Sequence, residues 1–136
     1  MGNVYAEITL RNNADLTRVQ DGVISKNAVR TMTLTALVDT GATFLVINDE
    51  VCQKLGLNII GTRTANLAGG IKMECKITEA VEINWKDRSV TISAMVLPGE
   101  KILFGVIPLE AMDLMVDPVR GELVGAHGDQ MTMQVY

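Results

Sequence analysis

Val4, Ala6, Ile8 and Leu10 alternate with Tyr5, Glu7 and Thr9, the period of a strand with one face buried. The same period returns through Met32, Leu34, Ala36 and Val38, and through Val81, Ile83 and Trp85. It returns again through Val90, Ile92, Ala94 and Val96. Many short strands without βαβ alternation predict an all-β, barrel-like fold with two or three short helices. Residues 1–136 are read as one domain, large enough to fold without disulfides or metals.

The connections carry their own signals. Residues 14–21 predict a short helix closed by Gly22, with Leu16 and Val19 on one side. Phe44-Leu45-Val46-Ile47 is an apolar run suited to burial on both faces, and Asn48 then caps a helix. That helix has Asp49 and Glu50 in its first turn, Val51 and Leu55 on one face, and Gly56 at its end. Residues 62–66 and 72–78 flank Leu67-Ala68-Gly69-Gly70-Ile71, a glycine-rich hairpin tip expected to be mobile. A second hairpin turns at Lys86-Asp87-Arg88 and is closed at Pro98-Gly99. Ile102-Leu103-Phe104-Gly105 predicts another strand, and Pro108 opens a helix through Leu114. Residues 115–117 and 123–124 form a last hairpin, and residues 131–136 a terminal strand.

Apolar residues make up 48% of the chain but aromatics only 4%, so the core should be aliphatic. That excess also leaves apolar surface for a subunit contact. A net charge of −4 without a basic cluster argues against nucleic acid as a partner, and it does not favour acidic substrates. Residues 1–10 lack a basic start and an apolar run, and no stretch approaches the roughly 18 apolar residues of a membrane span. A soluble, cytoplasmic protein with no membrane partner is expected, with Cys52 and Cys75 as free thiols. His127, the single histidine, is read as part of a solvated loop. Neither cysteine has metal-spaced partners, so no metal and no cofactor are expected.

The chemistry concentrates in Leu37-Val38-Asp39-Thr40-Gly41-Ala42-Thr43. An apolar approach ends at a carboxylate, a hydroxyl and a glycine, as when a strand stops in a tight loop that displays Asp39. By itself, such an aspartate reads more simply as a turn residue bonding its own backbone. Three features stand in order: this loop, the hairpin tip at Gly69-Gly70, and Ile102-Leu103-Phe104-Gly105 before a helix. Together they resemble the retropepsin-like aspartic proteases, the retroviral-type peptidases and their bacterial relatives. The resemblance covers residues 32–123. Val29-Arg30 and residues 109–120 look closer to the bacterial members.

The resemblance implies that Asp39 is half of a catalytic pair. Asp15, Asp21, Asp49, Asp87, Asp113, Asp117 and Asp129 all lack a following Thr-Gly or Ser-Gly, so a second copy of the chain must supply the other half. It further implies that Thr40 bonds across the two-fold axis and that Gly41 admits the water and substrate. Gly105 would support the loop from beneath. Leu67, Ala68, Gly69, Gly70 and Ile71 would form a flap over the substrate, with Thr43 also lining its site. Ala42 stands where pepsin-like relatives often carry a hydroxyl that stabilises the ionised carboxylate, so activity should extend nearer to neutral pH than pepsin's. Viral members carry Asp where this chain has Thr43, and Gly-Arg-Asn where it has Gly105-Val106-Ile107. The terminal strands, residues 4–10 and 131–136, are expected to interleave in the dimer. The function expected is that of a homodimeric aspartic endopeptidase acting on extended peptides. The alternative is a peptide-binding or assembly module of the same fold without turnover.

Overall fold

A computed structural model of the chain describes residues 2–129 and Met131. The elements run β1 (Val4–Asn12), α1 (Asn13–Gln20), β2 (Thr31–Val38), β3 (Leu45–Ile47), α2 (Asp49–Leu55), β4 (Ile59–Asn66) and β5 (Lys72–Trp85). They continue with β6 (Arg88–Val96), β7 (Leu103–Phe104), α3 (Val106–Ala111), β8 (Leu114–Asp117) and β9 (Glu122–Gly125). The expected terminal strand, residues 131–136, lies outside the described residues apart from Met131.

Seven strands form one mixed sheet in the order β1-β2-β7-β3-β6-β5-β4. A further pairing, of Thr9 to Asn12 with Val81 to Asn84, joins β1 to β5 and closes six of the strands into a ring. Closure of this kind protects sheet edges that otherwise offer unpaired backbone groups. The mostly β, barrel-like fold with three short helices among the described residues is the one the alternation predicts. In β1 the alternation maps directly onto burial: Val4, Ala6, Ile8 and Leu10 point inward while Tyr5 and Glu7 are exposed. Phe104, Leu45, Ile47, Leu55 and Ile83 meet at the centre, so the core is mainly aliphatic around one aromatic ring. Cys52 and Cys75 are free and buried, in different apolar clusters. Burial pushes both thiols up.

The excursion between β1 and β2 is held by one carboxylate. Asp15 is 3% exposed and accepts hydrogen bonds from the Arg30 backbone N–H, the Arg30 guanidinium and Arg18. The hydrogen-bonded Arg30 guanidinium holds the Asp15 carboxyl well below the usual carboxylate range. Its stabilisation is therefore complete above its ordinary value near 3.8 and is lost as pH falls below it. Asp15→Ala is expected to cost roughly 2–3 kcal/mol at neutral pH, less than a fully buried pair, because both guanidinium groups are half in water. Denaturant midpoints measured against pH check this: the gap between parent and variant should stay constant near neutrality and close below about pH 4.

Three details differ from the sequence reading. Residues 72–78 and 81–85 are one strand, β5, with its register to β6 shifted between Ile77 and Ala80. At that bulge the buried Thr78 hydroxyl accepts the Ala94 N–H and donates to the Glu79 carbonyl, replacing ladder bonds that the shift removes. Arg88 is no turn residue: it opens β6, is 5% exposed, and donates to the carbonyls of Met112 and Asp113. α3 stops at Ala111 rather than Leu114, because Asp113 turns left-handed at φ 55° and Leu114 pairs in β8. His127 lies in an exposed turn, as read, with its Nδ1 2.6 Å from Asp113 Oδ1.

Candidate active site

β2 delivers Asp39, and β7 fixes where it stops. β7 lies between β2, to which it runs parallel, and β3, to which it runs antiparallel. Residues 39–44 therefore wrap around its end. The Asp39 N–H donates to the Phe104 carbonyl at 3.0 Å, anchoring the start of the loop. The far side of the loop is held by α3, whose first two N–H groups donate to the Ala42 and Thr43 carbonyls at 2.9 Å. A helix start leaves such donors without partners in its own backbone, and here the loop supplies them.

Within the loop the Ala42 N–H closes a turn on the Asp39 carbonyl, and the Gly41 N–H donates to Asp39 Oδ1 at 2.9 Å. That charge-assisted bond orients the carboxylate. It is also the backbone bond of an ordinary turn aspartate, so it does not by itself separate the two sequence readings of Asp39. The surroundings do more. Asp39 is partly exposed and faces a cleft of about 780 Å³. Among the described residues lining this cleft, Asp39 is the one carboxylate.

The cleft lies between this loop and the β4–β5 hairpin. Gly41, Ala42 and Thr43 line it from the loop side, and Leu67 and Ala68 from the hairpin. The other expected site residues fall outside the lining. Thr40 is exposed at the turn, and Gly69, Gly70 and Ile71 form the exposed far end of the hairpin. Gly69 and Gly70 take φ of 82° and 76°, a left-handed turn that glycine adopts without steric cost. Gly105 sits beneath the loop, where an added Cβ would lie against the Phe44 carbonyl oxygen and 2.6 Å from that of Ala42.

Several lining residues were not singled out in the sequence. Met95, Leu97 and Leu103 form an apolar floor, and Phe44 and Arg63 a side wall. Period-two counting along β4 places Arg63 on the same face as Ala65, the one signal that pointed to it. Among the described residues β4 pairs only with β5, and it is exposed over nearly its whole length, so the hairpin stands off the barrel. Among the described residues, no group of three His, Cys, Asp or Glu side chains is placed to hold a metal ion. None of their helices is long and apolar enough to cross a membrane.

No curated protein matches the chain. A family model does: residues 25–111 match the one described as gag-polyprotein putative aspartyl protease. The matched span takes in β2, the Asp39 loop, the hairpin and the Gly105 elbow, all the parts that build the cleft. The chain belongs to this retropepsin-like aspartyl protease family.

Proposed function

We propose that the chain is an aspartic endopeptidase working as a homodimer, with Asp39 of each protomer forming the catalytic pair. The observation that carries this reading is the placement of Asp39: a partly exposed carboxylate oriented by Gly41 N–H, locked by β7 and α3, at one wall of a peptide-sized cleft. One carboxylate per chain is not enough for amide hydrolysis, which needs a base for water and an acid for the leaving group. Two carboxylates within about 3 Å share one proton and supply both. The ionised Asp39 takes a proton from water as its oxygen attacks the scissile carbonyl carbon, and the protonated Asp39 of the other copy donates to the carbonyl oxygen. Proton transfer to the amide nitrogen then releases the amine as the C–N bond breaks.

The remaining roles follow from position. Thr40, exposed at the turn, is the group available to bond the opposite loop across the axis. The hairpin with Gly69-Gly70 at its tip acts as the flap, closing over an extended peptide whose main chain adds to neighbouring strands. Free, unpaired Cys52 and Cys75 suit a reducing, cytoplasmic setting.

A pair of peptide analogues tests the reading against binding without turnover. One carries a hydroxyl in place of the scissile carbonyl, aimed between the two carboxylates; the other lacks it. A working pair should bind the hydroxyl form at least about a hundredfold more tightly, because that form resembles the tetrahedral transition state. Equal affinities would leave a binding module.

A further inference from the structure

Asp39 and Arg63 are the two charged residues among the described residues lining the cleft. Arg63 stands apart from the other arginines of the chain. Arg11, Arg18, Arg30, Arg88 and Arg120 each lie 2.6 to 3.9 Å from a carboxylate. Arg63 has no such partner among the described residues. It is held instead over an aromatic face, its guanidinium carbon 5.4 Å from the centroid of the Phe44 ring.

That placement has two consequences. Phe44 follows directly on the Asp39 loop, so the stacked pair spans from the loop side of the cleft to β4. A guanidinium resting on a ring keeps its N–H fork at the edge of the stack, where it can meet a planar anion, and it has less freedom to lose on doing so. The same two residues also border a neighbouring cleft of about 330 Å³ that contains Ile60, Ile77 and Ser93. A peptide leaving the Asp39 cleft along β4 passes the guanidinium.

We propose that Arg63 makes this cleft select peptides carrying an acidic side chain, the guanidinium pairing with the carboxylate of a Glu or Asp that lies over Phe44. The inference rests on the peptide-binding part of the proposed function, not on cleavage. The net charge of −4 disfavours a polyanion as a whole, but one well-placed carboxylate is decided by its nearest charge. Beside Asp39 an acidic side chain meets like charge and gains nothing. The preference is therefore confined to positions on the Arg63 side and should appear at one site of the peptide only.

The test uses a set of extended peptides in pairs differing by a single Glu/Gln exchange, moved along the peptide one position at a time. Affinities are measured with the full chain carrying Asp39→Asn, and kcat/KM with Asp39 intact. At low salt, one position should favour Glu over Gln by about five- to tenfold, and the ratio should shrink at high salt. Arg63→Gln should bring that ratio near one, and Arg63→Glu should invert it. Arg63→Lys, which keeps the charge but not the fork, should fall between. No preference at any position, a preference that survives Arg63→Gln, or no peptide binding at all would each overturn the assignment. Peptides that bind with an Arg63-dependent ratio yet are never cut would uphold it and remove the protease reading instead.

Discussion

Asp39→Asn is expected to lower peptide cleavage by at least about a thousandfold, the scale of a lost acid–base pair, while the fold persists. Asparagine keeps the size of the side chain and an oxygen to accept the Gly41 N–H, so the turn is retained. What it loses is the ability to take up or share a proton. The variant also examines symmetry. With the parent amount fixed and an equal amount of Asp39→Asn added, random exchange of subunits places half of the parent chains in mixed dimers, and activity should fall to about half. An inert protein that lowers activity in this proportion is difficult to explain unless each site needs two Asp39 carboxylates. Activity unaffected by the addition, after dilution and reconcentration to allow exchange, would mean that each chain works alone.

The strands and the Asp39 loop were legible in the sequence because their determinants are local. Alternation over five or more residues identifies a half-buried strand wherever it lies, and a carboxylate followed by hydroxyl and glycine at the end of such a run marks a turn. Asn48 was equally legible, since its side chain does accept the Val51 N–H as a cap should. The failures came where the determinant is remote. Nothing beside Arg88 announces the carbonyls of Met112 and Asp113, more than twenty residues away, that draw its guanidinium inside. In Lys86-Asp87-Arg88 the charge run reads as solvent-facing, and only its first two residues are in the turn. Phe44 and Arg63 are similar: their contact joins the end of one loop to the middle of a distant strand, and neither residue type signals the other. The ring closure between β1 and β5 is likewise invisible in either strand alone.

Gly105→Ala is expected to be among the most damaging substitutions in the chain, for a reason unrelated to backbone freedom. Gly105 is extended, at φ −90° and ψ −174°, a conformation any residue adopts. The obstacle is contact: the added methyl would lie against the Phe44 carbonyl oxygen and 2.6 Å from the Ala42 carbonyl oxygen. Ala42 cannot retreat freely, because the same oxygen accepts the Val106 N–H and the loop start is tied to Phe104. Relief requires pushing residues 42–44 away from β7, which breaks the bonds that set Asp39 against the cleft. A cost of about 2–4 kcal/mol follows from overpacking against fixed backbone, or roughly 10 °C in melting temperature for a chain of this size. Gly69→Ala provides the contrast. Its φ is left-handed but nothing lies within 4 Å of an added Cβ, so only the smaller backbone penalty of about 1 kcal/mol applies. Thermal unfolding of the two variants separates the mechanisms: if Gly105→Ala melts no lower than Gly69→Ala, the loop is not braced from beneath by that close approach.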